Sequence, residues 1–301
     1  MALFRSLLFT PANDRRKAEK VFQVGADVAI LDLEDAVALS RKEAARAGLA
    51  HDLDSSPLIA NRRIPVYVRV NALSTEFAFE DIQAVVRPQL DGIVLPKTQS
   101  AADVRIADYL ISQIEFQRRM EPGRIDLMPL LETGAGIANA REIVRASRRV
   151  RRIAFGAGDY SADIGATWTA HESELLYARS VLVIESRAGG LEPPIDTPCA
   201  DFRNIETFER EAARGRELGF QGKLLIHPNQ VGPANGIFSP AAAEIAWAEK
   251  AAAAFDEAEA RGIASIEVDG RLVDYAGGSL ARGIRARARE IREREAAGGK
   301  A

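Results

Sequence analysis

Short, almost uniformly apolar segments alternate with amphipathic stretches along most of the chain. A parallel strand that is buried on both faces is apolar throughout, so these segments predict buried strands. Seven segments have this pattern: 5–11, 27–35, 64–71, 91–97, 126–134, 152–160 and 223–230. The stretches between them predict helices over 13–24, 40–50, 100–119, 137–149 and 204–218. Repeated strand–helix units predict a parallel sheet, either closed as a barrel or open and doubly wound.

An eighth strand is predicted in the part of the chain that follows residue 171. Residues 172–188 contain a β-branched run but are otherwise rich in helix formers, and Gly189-Gly190 is a typical helix stop. We therefore interpret 172–188 as one helix and place a strand at 193–197. Eight strand–helix units predict the α/β class and a (β/α)8 TIM barrel, which we expect to occupy residues 1–262 as the catalytic domain.

The remaining residues, 263–301, predict a C-terminal extension made of a hairpin and a helix. The segment SIEVDGRLVDYA, at 265–276, has two short strand-like runs around Asp269-Gly270, a dipeptide that favours a tight hairpin turn. A basic stretch at 278–295 predicts a helix after it.

Composition and charge exclude several classes of protein. The 301 residues include 40 Lys and Arg against 43 Asp and Glu, a net charge of −3, which argues against binding to nucleic acid or to a membrane surface. The single cysteine, Cys199, excludes a disulfide framework, and three scattered histidines disfavour a zinc site. The first apolar run is too short for a membrane span or a secretory signal, so we expect a cytoplasmic protein.

Acidic side chains follow several predicted strands at their carboxyl ends, which meet at one mouth of a barrel. Glu132 and Asp159, each beside glycines, should converge there with one or both of Glu34 and Asp35. Clustered carboxylates repel one another unless a cation lies among them, and oxygen ligands with few histidines favour Mg²⁺ or Mn²⁺. Helix N-capping is the alternative use of such acids. For Glu132 and Asp159 together we favour the metal.

Other residues at the predicted mouth suit an anionic substrate. Arg69 ends an apolar strand, and its planar fork suits a carboxylate beside the metal. The backbone N–H of Gly158 can donate to a bound oxyanion. Lys97, which follows Pro96, either meets an anionic substrate or pairs with the acids. For His227 we favour a capping or packing role.

Seven segments carry a more specific pattern: RSLLFTPAND, ADVAILDLEDAV, VYVRVN, GIVLPK, LLETGAGIANAREI, FGAGDYSADIG and GFQGKLLIHPNQV. Together they resemble the citrate lyase β-subunit-like (CitE-like) branch of the HpcH/HpaI aldolase family over nearly the whole chain. The resemblance implies a TIM barrel that assembles as a homotrimer or homohexamer. It also implies that Glu132 and Asp159 hold Mg²⁺, that Arg69 binds the substrate, and that Glu34 and Asp35 contact the metal's water ligands.

The resemblance extends to the C-terminal segment. Family members with CoA-ester lyase activity carry one more catalytic acid there, in a segment of the form GKMID. Here GRLVD stands at 270–274, which makes Asp274 the candidate. In the family this segment closes over the barrel of a neighbouring subunit, so the resemblance implies that 263–301 is a lid. Tyr275-Ala276 follow Asp274, where the family has a nearby proline.

The implied activity is that of a Mg²⁺-dependent carbon–carbon lyase. It would cleave, or form by Claisen condensation, a 3-hydroxyacyl-CoA such as malyl-CoA or citramalyl-CoA, with acetyl- or propionyl-CoA and a 2-oxo acid as the other side of the reaction. Arg69 and Asp274 are the candidate catalytic residues, with Gly158, Pro96 and Lys97 near the substrate. Basic residues around the first strand are candidates for contacts with CoA phosphates, although a solvated helix face explains them equally well: Arg5, Arg15, Arg16 and Lys17.

Three alternatives stay open at this point. The chain could be the β subunit of a citrate lyase complex that cleaves citryl carried on an acyl-carrier protein. It could be a metal-dependent aldolase that releases pyruvate without a thioester. Outside the enzymes, it could be a non-catalytic subunit that binds Mg²⁺ and acyl-CoA.

Overall fold

The computed structural model describes residues 3–298. The chain divides into two compact units, one that extends to Gly236 and one that begins at Ile237. No described helix is long and apolar enough to cross a membrane.

The first unit is a closed barrel of eight parallel strands in sequential order. The strands are β1 (Ser6–Pro11), β2 (Val28–Asp32), β3 (Val66–Arg69), β4 (Gly92–Leu95), β5 (Asp126–Leu131), β6 (Ala154–Phe155), β7 (Ile195–Asp196) and β8 (Gly222–Leu225). The barrel closes where β1 pairs with β8, with Ser6 opposite Lys223. The predicted (β/α)8 TIM barrel is confirmed, including the strand expected within 193–197.

Helices connect the strands and surround them. They are α1 (Arg15–Lys20), α2 (Lys42–Ser55), α3 (Pro57–Ala60), α4 (Ala78–Val85), α5 (Ala101–Gln117), α6 (Gly134–Ala138), α7 (Ala140–Ile143), α8 (Ala157–Asp163), α9 (Leu176–Ala188), α10 (Ile205–Leu218) and α11 (Val231–Ile237).

Two predicted elements between β5 and β7 differ from the structure. The helix expected over 137–149 is divided into α6 and α7, because Asn139 departs from helical geometry with φ −98° and ψ 10°. The strand expected over 152–160 is limited to β6, because α8 begins at Ala157 and Gly156 is its N-cap residue. The second difference matters for the site, since it places Asp159 in the first turn of a helix.

Inward-facing side chains from all eight strands fill the barrel, as expected for this fold. At its amino end the core is closed by polar groups: Arg152 donates to Asp126 and, at 3.0 Å, to the Tyr67 hydroxyl, while its guanidinium lies 3.6 Å from the centre of the Phe4 ring. The apolar members of this core are Phe4, Leu7, Val28, Ile30, Tyr67, Val94, Met128, Leu130, Ala154, Ile195 and Leu224. Within the described residues, the amino end of the barrel interior is therefore occupied by these side chains.

The second unit contains α12 (Ala242–Ala260), the hairpin β9 (Ile266–Val268) and β10 (Arg271–Val273), and α13 (Tyr275–Gly298). Asp269 and Gly270 have φ of 50° and 76°, which confirms the predicted hairpin turn. At Gly278 a Cβ would approach the Phe255 ring to 2.4 Å, so α12 and α13 pack closely only because glycine stands there. Since α12 packs within this unit, the division lies upstream of the boundary expected at 262. Residues 299–301 of the predicted extension lie outside the described residues.

Candidate active site

The loop after β2 carries acids and is held in place by Asp32 and Lys42. The Asp32 carboxylate accepts hydrogen bonds from the backbone N–H groups of Glu34 (2.9 Å) and Ala36 (3.1 Å). The buried ammonium of Lys42 donates to the carbonyl oxygens of Leu33 (2.9 Å) and Glu34 (3.0 Å). These bonds fix the backbone of the loop, and with it the position of Glu34.

Arg69 ends β3 directly opposite Asp32, the last residue of β2. Its Nε and Nη2 donate to the two carboxylate oxygens of Asp32 at 2.7 and 2.6 Å. The guanidinium carbon lies 4.6 Å from the centre of the Phe9 ring. Burial alone would lower the pKa of Arg69, but the hydrogen bonds and charge of Asp32 raise it above the ordinary value. Arg69 is therefore a fixed, fully charged group at the barrel mouth.

Glu132 follows β5 and is almost completely buried, with 3% of its surface exposed. Its Oε1 accepts a hydrogen bond from the backbone N–H of Lys97 at 2.8 Å. Lys97 has a left-handed backbone conformation, φ 49°, which is uncommon for a residue other than glycine. Burial, together with the neighbouring charge of Glu34, raises the pKa of Glu132 to about 8.

The Lys97 side chain bridges the acids. Its ammonium lies 2.8 Å from Glu34 Oε1 and 3.9 Å from both Asp35 Oδ1 and Asp159 Oδ2. Of the two roles considered for Lys97, pairing with the acids is the one this structure contains. The other Glu34 oxygen, Oε2, lies 3.1 Å from Arg69 Nη1 but accepts no hydrogen bond within residues 3–298.

Asp159 reaches the same place from α8, with about half of its side chain exposed. The helix begins very close to Glu132: a Cβ at Gly156 would lie 2.5 Å from Glu132 Oε2. Glycine is therefore required at 156 for β6 and α8 to approach the buried carboxylate.

Glu132, Asp159 and Arg69 line one cavity of about 210 Å³ at the barrel mouth. Gly158 is part of its wall, so three predicted polar groups and the predicted glycine are brought together. The remaining lining residues are Phe9, Leu130, Gly156, Trp168, Thr197, Pro198, Ala200, Leu224 and Ile226. The arrangement can hold a cation at the two carboxylates and an anionic group at the guanidinium.

Comparison with known proteins gives the family. The family described as HpcH/HpaI aldolase/citrate lyase matches residues 5–228. These residues include most of the barrel. The chain belongs to this family. The citrate lyase subunit beta of Haemophilus influenzae is 36% identical over 274 residues, 91% of this chain and 93% of that protein. Human mitochondrial citramalyl-CoA lyase is 31% identical over 90% of this chain and 81% of its own length. As a member of this family the chain is a lyase.

A solved structure of the family also matches the chain closely. The CitE protein of Mycobacterium tuberculosis, in complex with magnesium, acetoacetate and coenzyme A, has a TM-score of 0.76 and 27% identity, with 95% of this chain and 98% of that chain covered. The barrel described above is therefore the fold of the HpcH/HpaI family.

Not every predicted residue of this family member reaches the cavity. Arg5 does not, and its prediction as a CoA contact is wrong: it precedes β1, at the amino end of the barrel, and its buried Nε donates to Asp27 at 2.9 Å. Pro96 lines a separate cavity of about 180 Å³ beside Lys97. His227 has the expected capping role, since its Nδ1 accepts from the Asn229 N–H at 3.3 Å.

The other predicted residues lie at exposed positions. Helix α1 follows the carboxyl end of β1. On it Arg15 pairs with Glu19, and Lys17 pairs with the N-cap residue Asp14. Arg16 is also exposed on this helix. Asp274 is exposed between β10 and α13, where it accepts from the Gly277 N–H at 2.9 Å and caps the helix.

Sequence reasoning gave no role to three residues that shape the site in this family member. Asp32 orients Arg69, Lys42 holds the acid loop, and Trp168 forms part of the cavity wall. A signal for Asp32 was present, because it and Arg69 both end neighbouring strands. No comparable signal marked Lys42 or Trp168, which come from a helix and a long loop.

Proposed function

We propose that the chain is a cytoplasmic, Mg²⁺-dependent CoA-ester lyase that cleaves a 3-hydroxyacyl-CoA into a shorter acyl-CoA and a 2-oxo acid. The observation that carries this proposal is the buried Glu132 carboxylate, which shares one small cavity with Asp159 and Arg69. A relative named citramalyl-CoA lyase, and a relative seen with coenzyme A and acetoacetate, support the choice of a CoA ester.

The donor set fits a divalent cation. Glu132 is a buried carboxylate beside Glu34, and the Glu34 Oε2 atom lacks a hydrogen bond inside the described part of the chain. Within the same residues, no three His, Cys, Asp or Glu side chains form a ready-made metal cage. Two carboxylates and several retained waters are what Mg²⁺ commonly takes, and Mn²⁺ accepts similar ligands.

In this proposal Glu132 and Asp159 hold Mg²⁺, while Glu34 and Asp35 accept hydrogen bonds from its water ligands. When bound, Mg²⁺ would supply Lewis-acid polarisation of the oxygens of the 2-oxo acid. The relative from Mycobacterium tuberculosis is seen with magnesium, which supports this assignment.

Cleavage breaks the bond between the α-carbon of the thioester and the carbon that carries the hydroxyl group. The hydroxyl proton passes to solvent water, the carbonyl of the 2-oxo acid forms, and the electron pair of the broken bond passes to the thioester as an enolate. Arg69 stabilises this developing negative charge, because Asp32 occupies only two of its five N–H groups. The Gly158 N–H, at the cavity wall, is the second donor we assign to an oxyanion.

The enolate must then gain a proton at its α-carbon to leave as acetyl- or propionyl-CoA. We assign this proton transfer to Asp274, supplied by a neighbouring subunit of a homotrimer or homohexamer. The C-terminal extension that begins at residue 263 forms the lid in this proposal.

The CoA moiety is assigned to the mouth near β1. Lys17 and Lys20 line a cavity of about 350 Å³ together with Thr10, Pro11 and His227. Arg15 and Arg16 lie on the same exposed helix, α1, and with Lys17 they remain candidates for contacts with phosphate groups.

A substrate panel tests the proposal. Purified protein is incubated with malyl-CoA, citramalyl-CoA and citryl-CoA, with Mg²⁺ or after complete removal of metal by EDTA, and acyl-CoA and 2-oxo acid are measured together. We expect equimolar release of both products only with metal. Release that survives metal removal would refute the metal role, and release of free CoA without carbon–carbon cleavage would indicate a thioesterase.

Variants locate the ion. Glu132→Gln and Asp159→Asn should lose both turnover and Mn²⁺ binding, measured by calorimetry, whereas Glu209→Gln on the exposed face of α10 should change neither. Unchanged Mn²⁺ affinity in both site variants would mean that the ion binds elsewhere.

A second candidate is the β subunit of a citrate lyase complex, favoured by the 36% identity to such a subunit. In that case citryl on an acyl-carrier protein would be cleaved much faster than any CoA ester. Pyruvate release from a hydroxy-oxo acid without thioester cleavage would instead identify an aldolase.

A further inference from the structure

The active-site cavity has two chemically different halves. Around the barrel, strands β2 to β6 and the segments that follow them contribute the charged groups Arg69, Glu132 and Asp159. Strands β7, β8 and β1 and the segments that follow them contribute an almost entirely apolar wall. Its members are Phe9, Pro198, Ala200, Leu224 and Ile226, and Trp168 joins them from the segment between α8 and α9.

The apolar half has few groups that could stabilise a second negative charge on the substrate. Among the lining residues, all of them in the range 3–298, Arg69 is the one cation, and it belongs to the charged half. Thr197 is the polar side chain of the apolar half: its hydroxyl accepts a hydrogen bond from the Ala157 N–H at 2.8 Å, and its O–H is a neutral donor without charge. A carboxylate directed at this wall would lose hydration without gaining a charged partner among the residues of the wall.

Trp168 is part of that wall, and the chain on both sides of it is hydrogen-bonded. Before it, the Ala166 N–H donates to the Ser161 carbonyl at 2.9 Å. After it, the Thr169 hydroxyl donates to Glu174 at 2.9 Å. The ring faces Gly158 of α8, where an added Cβ would lie 3.9 Å from Trp168 Cζ3.

A buried ion cluster anchors the end of this segment. Glu172 is 2% exposed and has a left-handed backbone, φ 51°. Its carboxylate accepts from both terminal nitrogens of Arg179, at 3.0 and 3.1 Å, and from Arg214 at 2.7 Å. A non-glycine residue is held in this conformation only where the surroundings determine it. The ion cluster therefore anchors the backbone that follows Trp168.

We infer that the enzyme selects a substrate with a single free carboxylate and an alkyl group on its hydroxyl-bearing carbon. The free carboxylate and the hydroxyl group lie against the charged half, and the alkyl group lies against the apolar wall that Trp168 completes. The 2-oxo acid released is then pyruvate or a longer homologue, in preference to glyoxylate or oxaloacetate. This inference rests on the proposed function and names its substrate class.

The cavity volume is consistent with this assignment. An enclosed apolar cavity of about 150 Å³ holds benzene, and the cavity here, at about 210 Å³, has room for an alkyl group in addition to the reacting atoms.

The first test compares kcat/KM of the wild-type enzyme for three CoA esters that differ at the hydroxyl-bearing carbon. Citramalyl-CoA has a methyl group there, malyl-CoA has a hydrogen, and citryl-CoA has a second arm that ends in a free carboxylate. We expect citramalyl-CoA to exceed malyl-CoA by about 10-fold or more, the usual effect of one methyl group in an apolar pocket. We expect it to exceed citryl-CoA by at least about 100-fold, because the extra charge is buried without a partner. Values for citryl-CoA or malyl-CoA equal to or above that for citramalyl-CoA would overturn the inference and leave the proposed function intact. If the enzyme cleaves none of the three esters, both this inference and the proposed function are overturned.

The second test changes the wall. Trp168→Lys places a cation in the apolar half and should raise the citryl-to-citramalyl ratio of kcat/KM by about 10-fold or more. Trp168→Phe should preserve the wild-type preference, and Trp247→Phe, which changes the other tryptophan of the chain, is the matched control. A ratio that is the same in Trp168→Lys as in the wild-type enzyme would show that Trp168 does not determine specificity.

Discussion

Arg69 and Asp32 are the last residues of β3 and β2 and lie opposite each other. They form a bidentate ion pair, with Nε 2.7 Å from Oδ1 and Nη2 2.6 Å from Oδ2. The parallel register of two neighbouring strands brings the pair together. Because Asp32 is 1% exposed, the guanidinium at the mouth is oriented by a partner that solvent scarcely reaches.

Asp32→Asn should therefore weaken both folding and catalysis. The variant keeps the shape of the side chain but removes one charge of a buried pair, which typically costs about 3 kcal/mol of unfolding free energy. We also expect kcat/KM to fall by about 100-fold, since Arg69 loses its fixed orientation. Urea denaturation and steady-state kinetics measure the two effects. Glu19→Gln, which breaks an exposed pair with Arg15, should cost less than about 1 kcal/mol. Wild-type behaviour of Asp32→Asn would refute the orienting role.

Gly156→Ala should damage the site by moving Glu132. The added methyl group would stand 2.5 Å from the Glu132 carboxylate and 2.7 Å from its Cβ, so the acid must shift. We expect a loss of Mn²⁺ affinity of about 10-fold or more, measured by calorimetry, in line with the sensitivity of metal sites to ligand position. At Gly232 a Cβ would meet nothing within 4 Å, which makes Gly232→Ala the matched control. Equal affinities in the two variants would contradict the prediction.

Lys42→Met should release the loop that carries Glu34. The ammonium donates to two carbonyl oxygens and, at 2.6 Å, to Asn71 Oδ1, all in buried surroundings. Their loss should lower the free energy of unfolding by about 2 kcal/mol and reduce kcat/KM, although Lys42 lines no part of the cavity. Lys250→Met removes an exposed lysine paired with Asp269 and should change neither quantity. Full activity in Lys42→Met would show that the acid loop needs no such support.

Asp274 can be tested for catalysis separately from its capping role. Asp274→Ser retains a hydroxyl oxygen that can cap α13 but removes the carboxylate, so stability should stay within about 0.5 kcal/mol of wild type. If Asp274 transfers the α-carbon proton, kcat should fall by about 100- to 10,000-fold while binding of the 2-oxo acid persists. Asp274→Ala serves as the comparison that loses the cap as well. Full turnover in both variants would leave Asp274 with only the capping role.

Cys199 should be unreactive in the native protein. Burial, reinforced by the nearby charge of Glu211, raises the pKa of the thiol to about 12. An unfolded cysteine has a pKa of about 8.5, so between about pH 8.5 and pH 12 the thiol is protonated in the native state and ionised in the unfolded state. The free energy of unfolding therefore falls as the pH rises through that range. At pH 8 we expect a disulfide reagent to label Cys199 only after denaturation in guanidinium. Rapid labelling of the native protein would contradict this prediction.

The order of residues along the chain was enough to predict the barrel and most of the charged half of its mouth. Continuous apolar runs mark strands buried on both faces, and the residue that ends each run must lie at the carboxyl rim. For this reason Arg69 and Glu132 were predicted to share one site, and the structure places them on the same cavity with Asp159.

The partner of each side chain and the composition of the opposite wall could be read only from the folded chain. Arg5 was assigned to the mouth from its basic character, but closure of the barrel places it at the amino end, against Asp27. Trp168 enters the cavity from a long loop whose path depends on the buried Glu172–Arg179 pair, far from any strand pattern. Hydrophobic periodicity specifies which face of an element is buried, whereas contacts between distant loops depend on closure of the whole barrel and on side-chain direction, which leave no local signal.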